Sequence, residues 1–427
     1  MLRRLGRLVV VCLFVFPVGM ARGQDLTGLY LTWHNDPTTT MTINWIDVYP
    51  KGTLSVFYRP ADTEDEFVEA TAEQKAIDPS ALQRRWVELR GLKPDTMYHF
   101  GIGKKPEKPT DGWRFRTMPA TLDRPVRFVT GGDMMHSREL LDPMNKRAAA
   151  LDPDFALLVG DLAYEDGVRA TRIMDWLISW RTLAITPDRR LIPMVLGIGN
   201  HEVRGGHNGK IPDDAPYFYG LFTLPDDRAY YALDIGDYLS LILLDSGHTN
   251  KVDGEQAQWL EQALAERTDR RFLYVGYHYP AYGTTKAPEN GLPIDNPRST
   301  IIQQHWVPIF DRFNPSAIFE NDHHNYKRSV RLRGHKPDPE HGLLYLGDGA
   351  WGVRTREVPR PEVAWWLAKA EPRNHLWLVE IRSDGSSTLQ AIDAAGAGFA
   401  PVRKAQPRPT PPPGPSPLRW SPPPSPA

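Results

Sequence analysis

Five short polar clusters occur in a fixed order along the chain, each directly after an apolar, β-rich run: Gly132-Asp133, Gly160-Asp161-Leu162-Ala163-Tyr164, Gly199-Asn200-His201-Glu202, Val275-Gly276-Tyr277-His278 and Asn321-Asp322-His323-His324-Asn325-Tyr326-Lys327-Arg328. The runs before them predict buried strands, and open α/β sheets present their ligand-binding groups at the carboxyl ends of such strands. The groups gathered there are carboxylates, an amide and imidazoles. That donor set suits hard or borderline cations, and a carboxylate placed between two of them can bridge the pair. Asp161 is the candidate bridge.

Glycines beside Asp133, Asp161 and Asn200 let the backbone turn as each strand ends. Taken singly the pairs are weak signals: Gly236-Asp237 and Gly347-Asp348 have no such companions and read as turns. Gly-Asn-His-Glu is more specific, and the ordered set is more specific still.

The rest of the chain falls into zones. Arg3, Arg4 and Arg7, the apolar stretch Leu8 to Met20 and the small-x-small run Ala21-Arg22-Gly23 predict an export signal over residues 1–23, hence a periplasmic or extracellular protein. The apolar stretch is shorter than the roughly 18 residues a spanning helix needs, so no transmembrane segment is expected. Cys12, the only cysteine, lies inside that leader, which excludes disulfides and cysteine-based zinc sites or nucleophiles from the processed protein. The formal charge is −1, and loss of the leader's four arginines makes it more negative; there is no basic footprint for nucleic acid.

Between Leu26 and Met118 the pattern alternates and is rich in turns, with strands expected at 29–33, 41–45, 54–58, 86–89, 97–100 and 113–116. This predicts an all-β sandwich over 26–118, and Gly91-Leu92-Lys93-Pro94-Asp95-Thr96-Met97-Tyr98 resembles the tyrosine corner of a fibronectin type III domain. Past Pro119 strands alternate with helices. Strands are expected at 126–130, 155–159, 194–198, 239–245, 272–277, 317–319, 343–346, 376–381 and 388–392, and helices at 169–183, 255–266 and 301–313. A layered α/β domain over 122–395 follows. Residues 402–427 are read as an extended, disordered tail, because from Gln406 onward half the residues are proline.

The five clusters in their order resemble the calcineurin-like metallophosphoesterase family, and the preceding β-sandwich with the Tyr of Gly160-Asp161-Leu162-Ala163-Tyr164 resembles its purple acid phosphatase branch. The resemblance implies two packed sheets flanked by helices, a four-layer sandwich with two metal ions between the strand ends, iron together with zinc, manganese or a second iron. Carried over by position, Asp133, Asp161, Tyr164 and His324 hold the first metal and Asp161, Asn200 and His278 the second, with His201 as the catalytic histidine. The implied activity is hydrolysis of a small phosphate ester by metal-bound hydroxide, with a monoester preferred over a diester or nucleotide.

The chain departs from the family pattern in three places. Met134-Met135 follows the first Asp where a small residue is usual. Aligning Tyr326 and Arg328 puts Asp322 where the last motif has its first histidine, so either Asp322, the preferred choice, or His323 completes the second site. The loop Tyr279 to Asn290 has no histidine; Lys286 or Tyr282 there is either a phosphate contact or a solvated residue. With these departures a catalytically degenerate cell-envelope binding protein is the alternative from another class.

Side readings complete the set. Tyr164 is a metal-bound phenolate or a core aromatic with a wet hydroxyl. Glu202 is expected to orient His201, Asp245 to be structural, His136, His248 and His305 to be ordinary surface or core histidines, and Lys327-Arg328 either to steer phosphate or to lie on a solvated hairpin face.

Overall fold

The computed structural model describes residues 27–47, 54–108, 110–206 and 209–404. The leader expected at 1–23 and the proline-rich run from Gln406 lie outside the described residues.

Two large sheets carry the fold. The strands Val126–Gly131, Phe155–Val159 and Met194–Gly197 run parallel as neighbours in one, and Leu239–Leu243, Phe272–Gly276 and Ala317–Phe319 run parallel in the other. Every residue of Phe155–Val159, Leu239–Leu243 and Phe272–Gly276 is buried, as expected of parallel strands covered on both faces. The sheets meet through aromatic rings: Phe128 stacks on Phe155 at 4.9 Å and meets Tyr274 edge-on at 5.4 Å and Phe319 at 6.4 Å. The carboxyl ends of both triplets are thereby brought to one place.

Helices Arg138–Ala150 and Thr171–Leu183 pack together beside the first sheet, with Asn145 Nδ2 donating to Ser179 Oγ at 2.9 Å. Helix Glu255–Ala265 buries Leu260 and Leu264 as its periodicity predicts and leaves Trp259 half-buried. The helix expected at 301–313 is two helices, Pro297–His305 and Val307–Phe313, because Pro308 opens a new one after Trp306. Sequence periodicity missed Arg138–Ala150, whose stripe of Leu141, Met144 and Ala148 is interrupted by Pro143.

The amino-terminal strands sit at the expected positions, and Lys93 N–H donates to Tyr98 Oη at 2.8 Å, making the tyrosine corner. Two further strands, Val68–Thr71 and Glu73–Ala76, lie outside the expected set: each is only four residues long and all but Ala70 are exposed. One sheet of this sandwich does not stand apart. Thr32 of Thr27–Thr32 pairs in parallel with Met194, so Thr27–Thr32, Met41–Asp47, Gln83–Leu89 and Glu73–Ala76 extend the first large sheet to ten strands. At its other edge Gly398–Lys404 pairs with Ser387–Ile392, so residues 402–404 are strand and the sheet runs past residue 395.

Candidate metal centre

The donors arrive on sharp turns. Asp133, Asp161, Asp322 and His324 all have left-handed backbone, with φ of 54°, 51°, 77° and 58°. Such conformations cost free energy for residues with a Cβ and persist where surroundings over-determine them. Here the turns bind one another: Asp133 N–H donates to Gly160 O, Met134 N–H to Asp161 O at 2.8 Å, and Asn321 N–H to His278 O at 2.9 Å. Asp322 N–H donates to Asp133 Oδ2 at 2.8 Å. Gly349, at φ +66°, must lack a side chain, since a Cβ there would lie 1.7 Å from Asp133 Oδ2.

Two groups of donors result. In the first, Asp133 Oδ1 lies 2.8 Å from Tyr164 Oη and 2.9 Å from His324 Nε2, and those two atoms are 3.1 Å apart. In the second, His278 Nε2 lies 3.2 Å from Asp161 Oδ1, 3.3 Å from Asn200 Oδ1 and 3.7 Å from Asp322 Oδ1. The other ring nitrogen of His278 faces the carbonyl of Val159 at 3.2 Å, which fixes the ring so that Nε2 points inward. Ligand atoms of Asp133, Asp161 and His278 all lie within 4.8 Å of one another, linking the groups.

Charge is the notable property of this pocket. The side chains of Asp133, Asp161 and Asp322 are at most 3% exposed. Burial favours their neutral forms, yet the charges of His278 and His201 hold Asp161, and those of Lys286 and His278 hold Asp322, well below the usual carboxylate range. In turn His278, which burial alone would discharge, is pushed up to about 10 by Asp161. Burial and the charges of Asp133 and Asp161 raise the Tyr164 phenol far above its ordinary value. Buried anions this close persist only against positive charge. The nitrogen and oxygen donors, with no sulfur among them, therefore fit a hard or borderline metal ion.

His201 stands at the rim, its side chain 30% exposed, with its amide donating to Asp161 Oδ1 at 2.9 Å and Nε2 3.9 Å from Asp161 Oδ2. Its Nδ1 bonds to Asp166, a partner that sequence reasoning missed because no motif marks it. Glu202 does not serve His201 as expected. Its buried carboxylate accepts the amides of Asp161, Leu162 and Gly199, each at 2.8 Å, and so clamps the second cluster to the third.

His323 Nδ1 accepts the amides of Thr284 and Thr285 at 2.7 and 3.0 Å and its Nε2 lies 3.6 Å from Asp322 Oδ2, whereas Asp322 Oδ1 lies 3.7 Å from His278 Nε2. Lys286 is not a free loop residue: its Nζ lies 2.5 Å from Asp322 Oδ1. Tyr282 bonds to His335 through its hydroxyl, away from the donors. Lys327 is on no solvated face; it is fully buried against Glu320 and Asp348. Asp245 is structural, accepting the amides of Gly247, His248, Thr249 and Asn250. His248 is buried, His305 is exposed, and His136 packs its ring 4.5 Å from that of Tyr164 at the pocket wall.

Paired parallel strand ends, facing across two sheets, carry these donors, and residues 132–326, which hold them, match the calcineurin-like phosphoesterase family. Residues 26–117 match the purple acid phosphatase N-terminal domain, so the chain is more particularly a purple acid phosphatase homologue. An uncharacterized protein of Mycobacterium tuberculosis, found in two strains, is 26% identical over 358 residues, 74% of this chain. The chain spans 64% of that relative's length. Purple acid phosphatase 13 of Arabidopsis thaliana is 21% identical over 316 residues, 64% of this chain and 56% of its own.

Among solved structures the fold is similar to the purple acid phosphatase PPD1 of yellow lupin, with a TM-score of 0.72 and 16% identity over 88% of this chain and 73% of that one. It is also similar to PhoD, with a TM-score of 0.66 and 13% identity over 90% of both chains. Among the described residues no helix is long and apolar enough to cross a membrane.

Proposed function

We propose that this chain is an exported metal-dependent hydrolase of small phosphate monoesters, with residues 26–118 as one domain and residues 122–404, to the end of strand Gly398–Lys404, as the other. The observation that carries the reading is the convergence of buried Asp133, Asp161 and His278 to within 4.8 Å beside a half-buried, carboxylate-held histidine, His201. Asp133, Tyr164 and His324 would hold one cation, Asn200, His278 and Asp322 the other, and Asp161 would touch both. Bound there, the cations supply Lewis acidity and charge neutralisation at phosphorus. Iron is the reading for the Tyr164 position, since a phenolate beside Asp133 needs a highly charged partner, with zinc, manganese or a second iron at the other.

The chain's own residues do the rest. Asp166 accepts from Nδ1–H of His201 and leaves Nε2 facing the pocket; in the imidazolium form, with a proton on each nitrogen, Nε2–H can donate to the leaving oxygen of the ester, as general acid catalysis requires. His136 and Tyr164 wall the open side, and the turns from Asp133 and Asp322 close the buried side.

The test is release of the reporter alcohol by purified, metal-analysed protein from a monoester and a diester reporter, with and without chelator. Chelator-sensitive monoester turnover supports the reading. A strong diester preference replaces it with a phosphodiesterase, and bound metal without hydrolysis of any phosphate ester replaces it with a binding protein.

A further inference from the structure

The two donor groups differ in one respect that bears on how tightly each holds a cation. Within 4.0 Å of Asp133 the one basic side chain among the described residues is His324, itself a donor, and no lysine or arginine reaches it. Asp322 instead carries an ammonium: Lys286 Nζ lies 2.5 Å from Oδ1, the same oxygen that faces His278 Nε2 at 3.7 Å.

The contact is built into the loop. Before Lys286, the amides of Thr284 and Thr285 are fixed on His323 Nδ1 at 2.7 and 3.0 Å, and the Lys286 carbonyl accepts from Asn296 Nδ2 at 2.8 Å. With its backbone held on both sides, the lysine has little freedom to lead its ammonium elsewhere, and its side chain is only 32% exposed. Arg356 adds positive charge on the same residue, its Nη1 donating to the Asp322 carbonyl at 3.1 Å.

We propose that Lys286 is a built-in competitor for the cation of the His278 group. Its ammonium takes the Asp322 oxygen which that cation needs and repels it at close range, so that this position exchanges metal readily while the Asp133 group retains it. The inference rests on the reading of the pocket as a two-cation site. A charge a few ångströms away in a partly buried pocket is screened far less than one at the surface, which makes such repulsion large enough to set an affinity.

The experiment compares the wild-type protein with Lys286→Met, which keeps the aliphatic stem, and Lys286→Arg, which keeps the charge. Metal content is measured by mass spectrometry after desalting and after a chelator challenge, and rebinding of Mn²⁺ is titrated by calorimetry. The expected result is one chelator-resistant ion per wild-type chain and a second, weaker binding event that tightens at least about tenfold in Lys286→Met and stays weak in Lys286→Arg. Two chelator-resistant ions in the wild type, or a second affinity unchanged by Lys286→Met, overturn the inference and leave the hydrolase reading standing. No retained ion in any of the three proteins overturns both.

Discussion

Asp166 holds His201 by its inner ring nitrogen: Nδ1 donates to Asp166 Oδ1, because the carboxylate oxygen in this contact accepts. The contact sets both the tautomer and the direction of Nε2. Asp166 itself touches none of the metal-donor groups, so it acts through His201 as a positioning residue.

Asp166→Ala should therefore lower kcat by about tenfold or more while KM moves less, because proton donation depends on aim and substrate binding does not. The Asp166 side chain is 47% exposed, so the unfolding midpoint should hardly change. Steady-state kinetics and a urea titration decide it; unchanged kcat would remove Asp166 from the mechanism.

For Tyr164 the observable is colour. Its hydroxyl lies between Asp133 Oδ1 and His324 Nε2, and burial with two carboxylates opposes its ionisation, so only a strongly charged ion makes it a ligand. Protein loaded with ferric iron should show a broad visible band that Tyr164→Phe loses, with weaker retention of one ion. An identical spectrum in the variant returns Tyr164 to the role of a wall aromatic.

The Glu202 carboxylate satisfies three buried amides, and Glu202→Ala leaves all three without a partner. Each such loss costs about 1–3 kcal/mol, so destabilisation of roughly 3 kcal/mol or more is expected, together with loss of metal as the Asp161 turn relaxes. Chemical denaturation of the metal-depleted protein separates the two effects. A variant within about 1 kcal/mol of wild type would show that water replaces the clamp.

The donor residues were legible because chemistry and position coincide in each: Asp133, Asp161, Asn200, His278 and Asp322 all follow a strand whose apolar run is plain in the sequence, and a strand end fixes where the next side chains go. Residues whose partners lie on other elements were not legible. Glu202 follows His201 and was read as its helper, but a 3₁₀ turn carries its carboxylate back to the amides of another cluster. Asp166 belongs to no periodic pattern. The fusion of the sandwich with the large sheet rests on Thr32 beside Met194, a pairing that neither strand's alternation encodes. Lys327, between Tyr326 and Arg328 on a short strand, looked like a hairpin charge because Glu320 and Asp348 reach it from separate strand ends.

That last residue gives the most demanding prediction. Lys327 Nζ donates to Glu320 Oε2 at 2.5 Å, Asp348 Oδ1 at 3.1 Å and the Tyr282 carbonyl at 3.0 Å, all out of reach of solvent. Glu320 Oε1 also accepts from Tyr277 Oη and the Ala281 amide, and Asp348 Oδ2 from Thr284 Oγ1, so the triad pins the loop that leads to Lys286. Lys327→Met fits the space but leaves two buried carboxyls without a counter-charge, which should cost about 3–5 kcal/mol at neutral pH. Burial and the charge of Glu320 already push Asp348 up to about 7, against the pull of Lys327, and removing the ammonium pushes it higher. A carboxyl whose folded pKa exceeds its unfolded one, near 4, favours the fold while protonated and loses that contribution as pH rises through the folded value. The deficit of Lys327→Met should therefore be smallest near about pH 4–5 and grow through about pH 7 and above. Urea titrations of both proteins across that range measure it, and a deficit independent of pH would mean that the lysine's stem, not its charge, is what the core requires.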